Sequence, residues 1–478
     1  MGRKWFFYGV LGLLLILTAC GGTGSGSRPG DPPGAPPPPP PTPDPPPVSL
    51  TPINHIIFMA QENRGFDHYF GHLNQYRASL GLPADVDGTP DNASNPTPDG
   101  SGTVTPFPMN SMCIENPSPF WNESHVDFNL VHPTSTTPTL DGFVTTAAGD
   151  AIHGFDKAGR RVMGYYDERA LPYYYFMASE FATSDRWFSP VMTRTQPNRM
   201  YLLAGTSAGR VRPIPASGAG SAPLPNKTIF QQLDENHISW KIYITDSPPD
   251  SYLGMFTYAQ KPEVKAKMVP VIPDYFNDLA NGTLPQVAMI EGGYQDGKDE
   301  HPAEGAPGGS VQEGSHYVAS LINGLMNSSS WKDSVFILTW DEGGGFYDHV
   351  APQRMPSPDG IPPKDLMGPS RGQKADVCWS SKGLDPSPIC DFKYTGFRVP
   401  LIVVSPFTKK HYVSHTVADY TAILRLIEQR FNLPNLSERD KAQMNMGEFF
   451  DFNNVPWRVP PVPPDQPKDG PCYIDKLP

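Results

Sequence analysis

The sequence predicts an α/β protein with a mostly parallel central sheet sandwiched by helices. Five short runs are apolar, rich in β-branched and aromatic residues, and not cleanly alternating: HIIFMA (55–60), SWKIYIT (239–245), QVAMIEG (286–292), SVFILTW (334–340) and VPLIVVS (399–405). Such runs are typical of strands that are buried on both faces of a sheet. Stretches with helical spacing, such as SHYVASLINGLMNS and TVADYTAILRLIEQRF, lie between and after them. This alternation of strands and helices indicates a parallel sheet covered by helices.

The length of the chain and its net charge limit the number of domains and the classes of function to consider. The chain has 478 residues, of which 38% are hydrophobic and 18% are charged, and its net charge is -12. This length allows one large domain or two to three ordinary ones. Sequence-independent binding to nucleic acid needs clustered Lys and Arg side chains, and no basic stripe is visible. We therefore expect no nucleic-acid partner.

The first twenty residues have the features of an export signal. Arg3 and Lys4 precede the apolar stretch WFFYGVLGLLLILTA, and Cys20 follows it. The segment 1–20 resembles a bacterial lipoprotein signal peptide, which implies that Cys20 is lipidated in the exported chain. The protein would then be anchored by lipid at the outer membrane, facing the periplasm, or at the cell surface. An ordinary signal peptide, or a single membrane anchor with a chance Cys, is the alternative.

Residues 21–52 predict a linker. A Gly/Ser stretch is followed by DPPGAPPPPPPTPDPPP, which favours polyproline II because Pro fixes φ and lacks the amide donor. Such a linker would hold a catalytic domain at 53–455 away from a membrane. A Pro-rich tail at 456–478 ends the chain.

The cysteines agree with export. Besides Cys20, the chain has four: Cys113, Cys378, Cys390 and Cys472. In an oxidising compartment they permit two disulfides in three connectivities. Cys378 and Cys390 enclose a short loop and are the favoured pair.

Two predicted strands end in matching polar groups. HIIFMA is followed by Gln61, Glu62 and Asn63, and SVFILTW by Asp341, Glu342 and three glycines. Ligands of parallel sheets bind outside the carboxyl ends of the strands. Three carboxylates and an amide oxygen meeting there would suit a hard or borderline divalent cation. The alternatives are a helix start after HIIFMA and a polar turn after SVFILTW.

The segment TQPNRMYLLAG predicts a nucleophile. Thr195 lies just before Pro197, which is favoured in a first helical turn. Its hydroxyl and the following amides can face an anion at the helix N-terminus. A simple capping role for Thr195 is the alternative.

Four motifs occur together in this order: ENRGFDHYFG (62–71), TQPNR (195–199), DEHP (299–302) and TWDEGGGFYDHV (339–350). With them, the chain from about residue 52 to 434 resembles the bacterial phosphoesterases related to non-haemolytic phospholipase C and to acid phosphatases of the AcpA type. These belong to the alkaline phosphatase-like superfamily.

The resemblance implies a role for each matching residue. One or more divalent metal ions would be bound by Glu62, Asn63, Thr195, Asp341 and Glu342. Thr195 would be the nucleophile and form a phosphothreonine-type intermediate. The mixed ligand set does not distinguish calcium, magnesium, manganese and zinc.

The same resemblance implies catalytic roles for His125, His301 and His349. These imidazoles would bind phosphoryl oxygens or protonate the leaving alkoxide. His132 is an alternative to His125. Arg194 and Asn198, beside and within the TQPNR motif, are candidate substrate contacts.

The chain departs from the family pattern at two places. Gly65 replaces the usual Ser after ENR, and Thr193 and Arg194 replace the usual Gly-Pro before the nucleophile. From the resemblance we also expect the chain to lack the extra carboxyl-terminal β domains of the large phospholipases. This slightly favours an acid phosphatase-like activity over a phospholipase C acting on phosphatidylcholine-type diesters. A hypothesis of another class is a catalytically silent, lipid-anchored binding protein.

Overall fold

The computed structural model describes residues 49–151, 154–218, 220–246, 251–303, 309–370 and 372–477. The predicted signal peptide 1–20 with Cys20, and linker residues 21–48, lie outside the described residues. The described residues, from Ser49 to Leu477, belong to one compact unit. The segment that the sequence assigns to a Pro-rich tail is part of that unit.

Eight strands of the described residues form the central sheet: β1 His55–Gln61, β2 Ala182–Ser184, β3 Trp240–Ile244, β4 Met268–Pro270, β5 Val287–Glu291, β6 Ser334–Trp340, β7 Leu401–Val404 and β8 Tyr412–Ser414. Their order is β8-β2-β7-β6-β1-β5-β3-β4. The stretch from β6 to β4 is parallel, whereas β7 runs antiparallel to both of its neighbours. All five predicted strands are present, and the predicted α/β fold with a mostly parallel sheet is confirmed.

The register of the two central strands places the predicted metal ligands together. β1 and β6 are parallel neighbours, and Gln61 pairs with Trp340 at their carboxyl ends. The side chains along both strands are almost fully buried. The residues that follow, Glu62 and Asp341, therefore emerge side by side at one edge of the sheet.

Helices connect many of the strands and flank the central sheet. In the described residues they are α1 Phe66–Phe70, α2 Leu73–Ser79, α3 Trp121–Phe128, α4 Phe143–Gly149, α5 Pro172–Glu180, α6 Thr195–Ala204, α7 Ile229–Glu235, α8 Pro262–Lys265, α9 Phe276–Asn281, α10 Val311–Met326, α11 Ala422–Phe431 and α12 Glu438–Lys441. None of those helices combines the length and the apolarity that a membrane span requires.

The second predicted helix begins later than its spacing indicates. Ala418 and Asp419 instead pair with Trp187–Phe188 in a two-stranded sheet. The carboxylate of Asp419 accepts hydrogen bonds from the backbone N–H and the hydroxyl of Thr421. Such local side-chain bonds compete with a helix, which delays its start to Ala422.

Two disulfide bonds cross-link the described part of the chain. Cys378 pairs with Cys390, as favoured from the sequence, and Cys113 pairs with Cys472. The second bond fixes the carboxyl-terminal segment, where buried Gln466 also donates a hydrogen bond to the carbonyl oxygen of Ala170.

Replacing Cys113 and Cys472 together by Ala should lower the free energy of unfolding by about 5 kcal/mol. The bond closes a loop with a sequence separation of 359, so losing it restores much entropy to the unfolded chain. Urea denaturation of the oxidised proteins measures the effect. The matched control removes Cys378 and Cys390, whose separation is 12, and should cost about 3 kcal/mol. A larger loss in the control would contradict the loop-length argument.

Candidate active site

The ends of β1 and β6 build the floor of an acidic pocket. The backbone N–H of Asn63 donates to Asp341 Oδ1 at 2.9 Å, and the N–H of Gly344 donates to Glu342 Oε2 at 2.6 Å. Asn63 has a φ of 57°, which is uncommon outside glycine. A Cβ on Gly344 would lie 2.2 Å from the Asn63 carbonyl oxygen. The glycine therefore permits a close approach of the two turns.

Thr195 lies at the first position of α6 and faces this pocket. Its hydroxyl donates to Glu62 Oε2 at 3.1 Å. The side chain is partly exposed, whereas Glu62 is buried. The predicted nucleophile and a predicted metal ligand thus meet, although 133 residues separate them in the chain.

Arg199, to which the sequence analysis gave no role, supplies positive charge to the pocket. Its Nη2 donates to Glu62 Oε1 at 2.7 Å, and its Nε lies 3.5 Å from Asp341 Oδ2. Burial opposes ionisation of Glu62, but Arg199, His301 and the side-chain hydrogen bonds with Asp341 and Tyr252 together outweigh it and lower the pKa of that carboxyl. Arg199 belongs to the TQPNR motif, which was the signal that could have identified it.

The pocket fits a divalent cation. Three buried carboxylates, Glu62, Asp341 and Glu342, face one guanidinium, so two negative charges are left unbalanced when all three ionise. Burial and the neighbouring acids raise the pKa of Asp341 and of Glu342 well above the usual range. Asn63 Oδ1 and Glu342 Oε1 accept no hydrogen bond from any described residue. Glu62, Asn63, Asp341 and Glu342 are thus the residues that would hold a cation, which would replace the bound protons.

A second acidic group lies nearby. Ligand atoms of Asp67, Asp348 and His349 lie within 4.8 Å of one another. Here Arg398 already supplies positive charge: its Nε lies 2.9 and 3.1 Å from the two Asp348 oxygens, and its Nη2 lies 2.9 Å from Asp67 Oδ1. Burial raises the pKa of Asp348 to about 6 despite Arg398, whereas Arg398 and His349 together outweigh burial and lower the pKa of Asp67. Both acids are therefore ionised at neutral pH without a metal. It ties α1 to the loop after β6, and we name it the Arg398 network.

The three predicted catalytic histidines lie in different surroundings, and His301 is the one near the pocket. His301 lies in the DEHP loop close enough to the pocket for its charge to help lower the pKa of Glu62. Its Nδ1 lies 2.6 Å from the Pro302 carbonyl oxygen, which can only accept. Nδ1 therefore carries a hydrogen, and Nε2 is the nitrogen that can gain or release a proton.

His125 and His349 are engaged elsewhere. His125 is fully buried, with Nδ1 2.7 Å from the Trp121 carbonyl oxygen and Nε2 3.4 Å from that of Ile389. Burial lowers the pKa of His125 to about 4. His349 Nδ1 lies 2.7 Å from Asp67 Oδ2 in the Arg398 network. The catalytic roles of His125 and His349 stay predictions, and these contacts do not support them.

The two residues predicted to contact substrate, Arg194 and Asn198, differ in exposure. Arg194 is partly exposed and lies with its guanidinium 4.1 Å from the ring centre of Phe120. Asn198 is fully buried, and its Nδ2 donates to the carbonyl oxygens of Thr193 at 2.6 Å and Val191 at 3.2 Å. Asn198 therefore holds the loop before Thr195, and its predicted contact with substrate has no geometric support.

Tyr252 and Asp299 complete the surroundings of Glu62. The Tyr252 hydroxyl donates to Glu62 Oε1 at 2.8 Å, and the Glu62 backbone N–H donates to the Asp299 carbonyl oxygen at 2.9 Å. Asp299 is part of the DEHP motif, but Tyr252 lies outside every motif, so the sequence offered no signal for it. Tyr252 also lines a cavity of about 780 Å³ together with Gln196, the residue after Thr195.

These features define the class of protein as a hydrolase that acts on phosphoric ester bonds. A hydroxyl bonded to a buried carboxylate, beside further buried carboxylate and amide oxygens at the carboxyl edge of a parallel sheet, suits that chemistry. Residues 53–434 match the Phosphoesterase family, and the chain belongs to that family. The family resemblance drawn from the four motifs is confirmed.

Several known proteins are similar to this chain. Phospholipase C B of Mycobacterium tuberculosis is 28% identical over 469 residues, covering 90% of this chain and 83% of that protein. Non-specific phospholipase C1 of Arabidopsis thaliana is 28% identical over 427 residues, covering 85% of this chain and 72% of that protein. The crystal structure of a protein in the alkaline phosphatase superfamily from Vibrio parahaemolyticus covers 78% of each chain with a TM-score of 0.34 and 10% identity. A likeness this low supports no functional conclusion.

Proposed function

We propose that the protein is a metal-dependent phosphoesterase with Thr195 as its nucleophile. One observation carries the proposal: the Thr195 hydroxyl donates to Glu62 Oε2 at 3.1 Å within the acidic pocket. A hydroxyl needs a neighbouring base or a cation to become a strong nucleophile. Glu62 is placed to accept its proton, and Arg199 is the main group that opposes burial and favours the ionised form of Glu62.

The first step transfers the phosphoryl group to the enzyme. Thr195 Oγ1 forms a bond to phosphorus, and its proton passes to Glu62 Oε2. The bond between phosphorus and the alcohol oxygen breaks, and protonated His301 donates the Nε2 proton to that oxygen. The alcohol leaves, and Thr195 carries the phosphoryl group.

The second step restores the enzyme. A water oxygen bonds to phosphorus while one of its protons passes to His301 Nε2. The bond from phosphorus to Thr195 Oγ1 breaks, and the proton on Glu62 returns to Thr195. A divalent cation held in the pocket would supply positive charge beside Oγ1 and the phosphoryl oxygens.

The substrate can be a monoester, as for an acid phosphatase, or a phospholipase C-type diester. The cavity of about 780 Å³, lined by Tyr252 and by Gln196, the residue after the proposed nucleophile, favours the diester, because it offers room for an alcohol group. The phospholipases C among the relatives point the same way. We therefore place the phosphodiester first and the monoester second.

Two chromogenic substrates compared side by side separate these candidates. We expect kcat/KM for p-nitrophenylphosphorylcholine to exceed that for p-nitrophenyl phosphate by about tenfold or more, since a second alcohol group adds binding energy in the transition state. The leaving group is the same in both, which makes the pair a matched one. A reversed preference would assign the protein as a phosphatase. If wild type with added divalent metals cleaves neither, the silent binding protein is favoured.

We further propose that the chain is exported and anchored by lipid at Cys20. The order of basic residues, apolar stretch and Cys supports this. In a bacterial host, metabolic labelling with palmitate should mark the wild-type chain and leave the Cys20→Ala chain unmarked. Equal labelling of both would contradict the assignment.

A further inference from the structure

Glu300, beside the pocket, has a heavily hydrogen-bonded side chain. Its side chain is fully buried, and four groups donate to it: Tyr174 Oη at 2.5 Å and Gln61 Nε2 at 3.4 Å on Oε1, and Tyr69 Oη at 2.7 Å and Trp340 Nε1 at 3.1 Å on Oε2. A buried carboxylate is costly unless its oxygens are paired in this way. The mechanism above does not use Glu300.

The donors connect Glu300 to both halves of the pocket. Gln61 directly precedes Glu62, and Trp340 directly precedes Asp341. The Glu300 carbonyl oxygen accepts from Nε and Nη2 of Arg64, at 2.9 and 2.5 Å, and Arg64 directly follows Asn63. Glu300 is therefore bonded to the sequence neighbours of Glu62, Asn63 and Asp341.

The backbone at Glu300 is strained. Its φ is 69°, a left-handed conformation that side chains other than Gly, Asn and Asp rarely adopt. A strained residue persists where surrounding bonds hold it. Gly314 of α10 leaves room for the Glu300 side chain, because a Cβ on Gly314 would lie 2.2 Å from Glu300 Cγ.

The strain sets the direction of the residue that follows. Glu300 lies between Asp299, whose carbonyl oxygen accepts from Glu62, and His301. The His301 backbone N–H in turn donates to Asp299 Oδ1 at 3.0 Å. A change at Glu300 would therefore move His301 relative to the pocket.

We propose that Glu300 is a positioning residue that holds His301 at the distance from Thr195 needed to protonate the leaving alcohol. The proposal rests on the proposed function, because it assumes the proton donor role of His301. Glu300 itself is too deeply buried behind Tyr69, Tyr174 and Trp340 to touch the substrate.

The test is the dependence of rate on the leaving group in Glu300→Gln. Gln has the same shape but places an amide N–H₂ against groups that donate. Phenol is a far weaker acid than p-nitrophenol, so phenyl esters need protonation of the leaving oxygen and p-nitrophenyl esters need it much less. General acid catalysis contributes about 10²- to 10⁴-fold. For phenylphosphorylcholine we expect kcat/KM to fall by about 10²-fold, and for p-nitrophenylphosphorylcholine by only about threefold.

The quantity kcat/KM reports the steps through departure of the alcohol, so hydrolysis of the phosphoenzyme does not mask the effect. Glu428→Gln is the matched control, since Glu428, in α11, is another buried acidic side chain, and burial raises its pKa to about 9. It should leave the ratio of the two rates unchanged. If Glu300→Gln does not fold, Tyr174→Phe removes one of the four donors and should shift the ratio in the same direction.

Equal loss on both esters in Glu300→Gln would overturn the proposal and leave Glu300 a purely structural residue. The proposed function fails differently: wild type would cleave neither ester, or Thr195→Ala would cleave both as fast as wild type. The corresponding monoesters, phenyl phosphate and p-nitrophenyl phosphate, serve if wild type prefers them.

Discussion

Thr195→Ala should reduce kcat/KM for p-nitrophenylphosphorylcholine by about 10³-fold or more, because the variant has no oxygen to form the phosphoenzyme. The hydroxyl is partly exposed and bonded to a carboxylate, so its removal leaves the core intact. We therefore expect the melting temperature to change by a few degrees at most. Steady-state kinetics and a thermal melt on the same preparation measure both quantities.

Thr195→Ser is the matched control. It keeps the oxygen and removes one methyl group, and we expect it to retain activity within about tenfold of wild type. Rapid quenching of the reaction in acid should trap phosphate on wild type and on Thr195→Ser, but not on Thr195→Ala. An alanine variant that retains more than a tenth of the wild-type rate would remove Thr195 from the mechanism.

Asp341→Asn should weaken binding of divalent metal by about 10²-fold or more and lower activity in parallel. Changes in groups that merely orient metal ligands already cost about 10- to 100-fold in affinity. Asp341 is fully buried beside Glu62 and Glu342, so its charge contributes strongly to cation binding. Elemental analysis after dialysis, together with metal titration of the apoprotein, measures the affinity independently of activity.

Asp348→Asn is the control that distinguishes the two acidic groups. Asp348 is equally buried, but Arg398 pairs with it. We expect normal metal content in this variant and a loss of unfolding free energy of about 3 kcal/mol, from the guanidinium left partly unpaired. If Asp348→Asn lost the metal and Asp341→Asn kept it, the cation would belong to the Arg398 network instead.

The fold was predictable from the sequence because its signals are local. Each of the five predicted strands is an apolar run of a few residues that stops at polar residues. Parallel strands place their carboxyl ends at one edge of the sheet. That is why Glu62 and Asp341 were expected to meet. The short strands β2, β4 and β8 carry no such pattern, since three residues are too few to show a period.

The surroundings of the pocket were less predictable because they depend on distant pairing. Tyr252 binds Glu62 across 190 residues of chain, with no motif around it. His125 lies in a segment that matches the family, yet α3 packs beneath the loop closed by Cys378 and Cys390, and its ring faces Ile389. Whether a histidine faces a pocket or a carbonyl oxygen is decided by such packing, which the sequence alone does not reveal.

The Arg398 network also sets when the site can form during synthesis. Arg398 donates to Asp67 across 331 residues, and β6 must pair with β1 before the two halves of the pocket meet. Contacts so distant in sequence form late, because closing a long loop costs entropy before any contact is gained. A nascent chain shorter than about 400 residues thus lacks a locked pocket. The contact between Arg398 and Asp67 can therefore form only after Arg398 has been synthesised.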